Sequence, residues 1–431
     1  MGWQNPPIPW HELERTLSGR APTGRDGEAS GGRDGEASGG RDGEASGGRA
    51  DRTPPEQPLS RKRPVYEPRR IEKIGGSVPF AELHAHSSFS FLDGASSPEE
   101  LAEEAVRLGL QSLTLTDHDG MYGAVRFAAA AETLGLATGF GAELSLDVSA
   151  PRTASEKMIA ARVGSPDPPG THLLALARDP TGYAALCRVI SAAHLRGGAK
   201  GRPVYDADQV ADAARGGHWL VLTGCRKGAV RRALDGRRGT FALDPARRAL
   251  AELVDRFGRD NVVVELTHEL DPLADDRYDA LAMLADEQRL QLVATTAAHY
   301  HAPTRRQLAT VTAAVRARST LDELDGWLPS WAGQHLRAGE EMAARFARWP
   351  SAVENAVRLG REIAFPLKLI APDLPPFPCP DGMDEMGYLR RLTYEGIERR
   401  FVGKEHEQRA RDMIEHELAI IDELNFPGYF L

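Results

Sequence analysis

The sequence lacks the features of a secreted, membrane-spanning or zinc-ribbon protein. Its 431 residues include only three cysteines, widely spaced and without a C-x-x-C pair, so neither a disulfide framework nor a zinc ribbon is indicated. No apolar run reaches the roughly 18 residues that a membrane span needs, and the first residues lack the apolar segment of a signal peptide. We therefore expect a cytoplasmic protein with no membrane partner.

Positive charge is also not in excess. The net charge of -9 does not indicate a nucleic-acid-binding protein, although a sum over the chain can hide a local basic groove. An apolar fraction of 41% is ordinary for a globular protein of two or three domains. Composition therefore leaves the substrate open.

The amino-terminal region is dominated by a short repeat. Residues 24–47 are three copies of GRDGEASG, which is too polar and too rich in glycine to bury a core. We predict a disordered tail over residues 1–76. Its basic cluster could contact phosphates, but a solvated charge run is the favoured interpretation because little aromatic character accompanies it. The cluster consists of Arg61, Lys62, Arg63, Arg69 and Arg70.

From residue 77 to residue 302 short apolar strands alternate with amphipathic helices. The segment VPFAELHAH is typical of a strand, and the next segment begins a helix with Ser97 as its N-cap and Glu100 completing a capping box. So many consecutive βα units favour a closed α/β barrel over an open doubly wound sheet. Residues 303–431 carry helical patterns only, interrupted by a proline-rich break at 371–382.

Metal-binding residue types follow the ends of the predicted strands. His84 and His86 are one residue apart, so on a strand they project from the same face, and Asp93 follows seven positions later. In a parallel barrel the functional face lies at the carboxyl ends of the strands. His172 is an exception because it opens its predicted strand. The other candidates at this face are Asp117, His118, Glu143, Cys225 and His299.

Each of these residues alone has an ordinary explanation, such as a turn cap, a buried ion pair or a buried apolar cysteine. Together they form the ligand inventory of a multinuclear zinc or manganese site that activates water for attack on phosphorus. His268 and His301 match no ligand pattern and are interpreted as structural.

Several motifs, in order, resemble the polymerase and histidinol phosphatase (PHP) domain of bacterial C-family DNA polymerases of the alpha-subunit type. They are ELHAHSSFSFLDGA, LTLTDHDGMYGAVRF, GAELSL, THLLALARDPTGYAALCRVIS, LTGCRKGAV and ATTAAHYH. The later segments RRQLATVTAAVRARSTLDE and HELAIIDELNFPGYFL resemble the entrance to the polymerase palm. The details are most similar to the damage-induced, error-prone members of actinobacteria. The resemblance implies a distorted (β/α) barrel preceded by a tail and followed by a mainly helical segment, truncated at the palm.

The resemblance also implies a ligand set and a reaction. The metal ligands would be His84, His86, Asp93, His118, Glu143, His172, Cys225 and His299. The family has an aspartate at the position of Ala297, where it shares an ion with the H-x-H pair and the bridging glutamate. The alanine should therefore weaken one metal position and any nuclease activity.

The parent protein would be an error-prone DNA-directed DNA polymerase acting in damage-induced mutagenesis and translesion synthesis. It would use primed DNA, deoxynucleoside triphosphates and Mg²⁺, and dock on a sliding clamp and mutagenesis accessory proteins. The palm carboxylates would lie beyond this chain, so the chain alone should not polymerise DNA. Two rival hypotheses are a free-standing metallophosphoesterase and a non-catalytic scaffold.

Overall fold

The protein is described here by a computed structural model. It describes residues 66–68, 70–148, 170–198, 201–236, 240–324, 333–367, 376–380, 382–403, 406–424 and 426–431. The GRDGEASG repeats and the predicted basic cluster, apart from Arg70, lie outside the described residues.

Within the part of the chain that the structure describes, seven strands form a single sheet in the order β1 to β7. Neighbouring strands are parallel except at β4, which is antiparallel to both β3 and β5. The strands are β1 Ala81–Ala85, β2 Ser112–Leu115, β3 Ala137–Leu146, β4 Thr171–Ala177, β5 Trp219–Leu222, β6 Val262–Thr267 and β7 Gln291–Thr295.

The sheet closes on itself just after β7. Ala85 and Ala298 form a parallel bridge, in which the amide of His86 donates to the carbonyl of Ala298 at 2.7 Å. The amide of Ala298 donates in turn to the carbonyl of His84 at 3.0 Å. The predicted barrel is confirmed as a nearly closed seven-stranded α/β barrel in which one strand is reversed.

The strands are apolar runs because both of their faces are covered. Inside and outside, buried side chains such as Phe127, Phe140, Leu174 and Trp219 belong to one continuous core. The helices of the barrel region are α1 Pro98–Arg107, α2 Ala124–Leu134, α3 Pro180–Gly197, α4 Ala207–Ala214, α5 Ala229–Leu234, α6 Leu243–Phe257 and α7 Ala274–Gln288. The predicted capping box is present at α1, where Ser97 and Glu100 bond to each other's backbone amides.

Further helices come after the barrel. They are α8 Arg306–Ala317, α9 Gly339–Arg345, α10 Pro350–Glu362, α11 Glu385–Arg400, α12 Glu407–Glu423 and α13 Pro427–Phe430. In the described ranges, short 3-10 helices lie at Arg259–Asn261, Pro303–Arg305 and Leu321–Glu323. None of the helices in the described ranges is long and apolar enough to cross a membrane.

Helix α10 completes the wall of the barrel beside β1 and β7. Gly360 allows this packing, since a Cβ there would lie 2.7 Å from the Cβ of Ala81 and 2.5 Å from the Ser112 hydroxyl. Ala356 and Leu359 are buried in the barrel's core. The barrel is therefore covered partly by residues beyond position 302 in the chain.

Candidate metal centre

The reversed strand β4 explains why His172 can join a site formed by the ends of the other strands. Because β4 runs antiparallel to β3 and β5, its first residues lie at the edge where their carboxyl ends emerge. His172 pairs with Ser145 near the end of β3 and forms a bridge with Gly228 beyond β5. Its place at the opening of a strand is thus what brings it to the same edge as the other candidates.

Glu143 on β3 is the centre of a group of buried imidazoles. Its Oε2 lies 3.2 Å from His172 Nδ1 and 3.4 Å from both His86 Nε2 and His118 Nε2. Its Oε1 lies 3.9 Å from His84 Nε2. Four imidazoles therefore direct a ring nitrogen at one carboxylate.

Asp93 forms a second group beside the first. Its Oδ2 lies 3.2 Å from His118 Nε2 and 3.1 Å from His299 Nε2, so His118 lies between both carboxylates. Its Oδ1 accepts a hydrogen bond from Arg316 on α8. We call the whole set the imidazole cluster, consisting of His84, His86, Asp93, His118, Glu143, His172 and His299.

Within this cluster three sets of residues have ligand atoms within 4.8 Å of one another. These sets are His86 with His118 and His299, His84 with His86 and Glu143, and His118 with Glu143 and His172. Cys225 lies at the margin, where its Sγ is 3.7 Å from Glu143 Oε1. The structure thus brings together all eight residues of the predicted ligand set.

Buried polar atoms that lack hydrogen-bond partners show whether these residues are suited to bind a metal ion. Among the described residues, neither ring nitrogen of His172 has a well-aligned hydrogen-bond partner, and Nδ1 of His118 has none either. The Nε2 atoms of His84 and His86 are only 3.0 Å apart, and both approach Glu143. Lone pairs that converge in this way suit a divalent ion, which accepts imidazole nitrogen and carboxylate oxygen. The donor set therefore fits a divalent metal.

The electrostatics of the cluster point in the same direction. Burial alone would raise the pKa of Glu143, but His172 and His118 outweigh it and hold that pKa well below its usual range. Burial lowers the pKa of His84, yet Glu265 and Glu143 raise it to about 9. Burial and the facing His118 hold the pKa of His86 well below its usual value. The carboxylates thus stay ionised and need neighbouring cations, which either protonated imidazoles or metal ions can supply.

Two supporting carboxylates were not predicted as part of the site. Glu265 on β6 accepts from His84 Nδ1 at 2.7 Å and from the Thr295 hydroxyl, which orients the imidazole. Glu82 on β1 accepts from the amide and the hydroxyl of Thr296, and burial raises its pKa to about 7. An acidic residue within a short, wholly buried strand was the available signal for both.

Asp117, by contrast, was among the candidates but binds the loop that follows β1. It accepts from the amide and hydroxyl of Ser87 and from the hydroxyl of Ser90 at 2.7 Å each. Ser90 also contacts His86 Nδ1 at 3.3 Å. Asp117 therefore shapes the loop that carries Asp93.

Ala297 lies in the left-handed region with a φ of 45°, and its side chain is buried. Its carbonyl is 2.8 Å from His299 Nδ1. The two histidines interpreted as structural take no part in the three sets above: His301 contacts the Ser96 hydroxyl, and His268 lies near Arg337 and Arg345.

Comparison with known proteins identifies relatives. Residues 82–269 match the model of the PHP domain. An error-prone DNA polymerase of Mycolicibacterium paratuberculosis is 52% identical over 433 residues, which cover 100% of this chain and 36% of that protein. The error-prone DNA polymerase of Mycobacterium tuberculosis strain H37Rv is 51% identical over 431 residues, with the same coverage of 100% and 36%. The chain thus spans about a third of the length of these curated relatives.

Among solved structures, a metal-dependent phosphoesterase of Bifidobacterium adolescentis covers 64% of this chain and 98% of its own. Its TM-score is 0.35 and its sequence identity 17%. Relatedness to known proteins rests on the sequence matches.

Proposed function

Since the chain is homologous over its whole length to error-prone DNA polymerases and contains a PHP domain, we propose that it is the PHP-containing segment of such a polymerase. The observation that carries the proposal is the extent of the similarity. It covers the whole chain, including the residues before position 82 and the helices after position 269, where the PHP match ends. A free-standing metallophosphoesterase would have no use for those flanking residues, so that alternative is not favoured.

The domain organisation that we propose is a tail over residues 1–76, a PHP barrel over 77–302 and a helical linker leading into the palm over 303–431. Packing of α10 on β1 supports a continuous connection between the barrel and the helical linker. The reaction of the whole protein would be template-directed nucleotidyl transfer in the cytoplasm, on primed DNA with deoxynucleoside triphosphates. The palm carboxylates that hold Mg²⁺ for this reaction would lie outside the chain. A sliding clamp and mutagenesis accessory proteins are the proposed partners.

The imidazole cluster, with Cys225, is proposed as a centre for Zn²⁺ or Mn²⁺. A bound ion of this kind lowers the pKa of water and favours its attack on phosphorus. The chain's own residues have distinct parts in such a centre. Glu143 and the imidazoles would hold the ions, Glu265 orients His84, and Asp117 holds the loop around Ser90 in place.

Two measurements test the proposal. Sequencing the gene beyond the codon for Leu431 should find an open frame that encodes a close pair of aspartates, and the complete protein should extend a primed template. An immediate stop codon, or no extension by a well-folded complete protein, would contradict the polymerase assignment. Metal analysis of the 431-residue chain tests the centre separately, and less than about one bound ion per chain would leave the barrel a structural role.

A further inference from the structure

We propose that the guanidinium of Arg316 competes with a divalent ion for Asp93, so that helix α8 regulates metal occupancy beside His118 and His299. The inference rests on the proposed metal centre. It adds a regulatory residue from outside the β strands to that centre.

The contact between α8 and the site is direct. Arg316 Nη1 donates to Asp93 Oδ1 at 2.5 Å and to the carbonyl of Leu92 at 2.6 Å. The side chains of Arg316 and Asp93 are only 15% and 10% exposed, so the pair is largely shielded from water and salt. Leu92 has a φ of 60°, a conformation that is unfavourable for leucine.

Helix α8 is otherwise held by little apolar packing within the described residues. Its buried residues are the alanines Ala313, Ala314 and Ala317, and the last two form a small cluster with Leu324 that is separate from the main core. Val311 and Val315 on the same helix are exposed. The ion pair with Asp93 is therefore a substantial part of what attaches the end of α8 to the barrel.

Competition arises from the two oxygens of one carboxylate. Oδ1 of Asp93 is engaged by Arg316, while Oδ2 faces His118 and His299. The proximity of His299 Nδ1 to the carbonyl of Ala297 favours a proton on Nδ1, which leaves Nε2 as an acceptor directed at Asp93. Nε2 of His299 and Oδ2 of Asp93, 3.1 Å apart, can thus both bind a metal ion, but an ion on Oδ2 would be repelled by the guanidinium on Oδ1. Each cation therefore weakens the binding of the other, and the effect is reciprocal.

A merely structural ion pair would behave differently. It would fasten α8 to the loop at Leu92 and leave the affinity for metal unchanged when it is removed. The two roles are separated by metal titration, because only competition makes the loss of a native contact improve binding.

The test is a titration of the full 431-residue chain with Mn²⁺, in which free ion is measured by electron paramagnetic resonance. Arg316→Gln should bind the weakest ion about tenfold more tightly or more, since it removes a short-range repulsion between cations in a buried site. Arg316→Lys retains the charge and should stay close to the wild-type protein. The matched control is Arg348→Gln, which removes an arginine from an exposed pair with Asp279 and should change nothing.

A second substitution tests whether Asp93 is the carboxylate for which the two cations compete. Asp93→Asn should abolish the gain in affinity when it is combined with Arg316→Gln. In the wild-type chain, Mn²⁺ should accelerate hydrogen exchange in residues 306–317, because the ion weakens the contact that holds the end of α8. This measurement needs no variant, and unchanged exchange at saturating Mn²⁺ would overturn the inference even if Arg316→Gln failed to fold.

The outcomes also separate the two proposals. Equal Mn²⁺ affinity in the wild type and in folded Arg316→Gln would overturn the competition and leave the metal centre intact. Absence of bound Mn²⁺ from all variants would overturn the metal centre itself, and the inference with it.

Discussion

Two largely buried polar clusters among the described residues differ in how their charged groups are paired. The first is the imidazole cluster at the carboxyl ends of the strands. The second, which we call the guanidinium network, consists of Arg231, Arg277, Asp235, Glu269 and Asp271. In the network both oxygens of Glu269 accept from Arg231, and Oε2 also accepts from Arg277. Both arginines also donate to Asp235.

The comparison shows what distinguishes a structural cluster from a binding site. The guanidinium network satisfies its charged groups internally, and none of its side-chain atoms is among the unsatisfied buried atoms of the described residues. The imidazole cluster leaves ring nitrogens without hydrogen bonds and directs several of them at one carboxylate. A protein retains such an incomplete cluster only if something else completes it.

The largest expected effect is on the guanidinium network. Glu269→Ala should lower the free energy of unfolding by about 3–5 kcal/mol, because it leaves Arg231 and Arg277 buried with an incomplete set of partners. Chemical denaturation followed by circular dichroism, with EDTA present, measures this loss. Glu287→Ala is the control, since Glu287 pairs with Arg247 at the surface, and it should have little effect. A similarly small effect of Glu269→Ala would show that the network does not stabilise the barrel.

Sequence reasoning predicted the imidazole cluster better than the guanidinium network. The H-x-H motif of His84 and His86 fixes both residues on one face of a strand, and the other strand ends and the family resemblance supplied the remaining candidates. Arg231 and Asp235 are an i,i+4 pair at the end of α5, but only tertiary packing brings Glu269 and Arg277 to them. The reversal of β4 was also missed, because an apolar strand such as THLLALA carries no mark of its direction. That reversal is why His172 looked exceptional in the sequence.

The next largest effect tests whether the imidazole cluster binds a metal ion. In the wild-type chain, Mn²⁺ or Zn²⁺ at 100 times its dissociation constant should add about 2.7 kcal/mol to the free energy of unfolding, since it binds the folded state alone. Glu143→Gln should abolish most of this increment, because the central carboxylate of the cluster becomes a neutral amide. Denaturation with and without metal measures the increment. If metal stabilised Glu143→Gln as much as the wild type, Glu143 would not be a ligand.

Replacing Ala297 should have a smaller effect, and it should strengthen metal binding rather than weaken it. Ala297→Asp should raise metal content or 3' nuclease activity, with affinity for the weakened position increasing about tenfold, or about 1.4 kcal/mol. The φ of 45° favours the change, because aspartate tolerates the left-handed region better than alanine does. Ala297→Asn is the matched control, since it has the same shape and conformational tolerance without the charge. If metal content and nuclease activity both stayed unchanged in a folded Ala297→Asp protein, the assignment of position 297 to the site would be wrong.

The smallest effect concerns His268, which adjoins Glu269 in the guanidinium network and has no part in the predicted ligand set. Burial, reinforced by Arg337 and Arg345, lowers its pKa from 6.5 to about 3. Between these two values the unfolded chain binds a proton that the folded chain excludes, so stability must fall as the pH falls below about 6.5. From pH 7 to pH 6 the loss due to this residue should be about 0.7 kcal/mol.

The measurement is the unfolding free energy at both pH values in EDTA, for the wild type and for His268→Gln. The variant should show a shallower dependence on pH, because glutamine does not titrate. His335→Gln is the parallel case, since burial and Arg337 lower the pKa of His335 to about 4, and its effect should have the same sign. An unchanged slope in His268→Gln would mean that this histidine has the same pKa in the folded and the unfolded chain. Burial beside the guanidinium network would then not exclude a proton from His268.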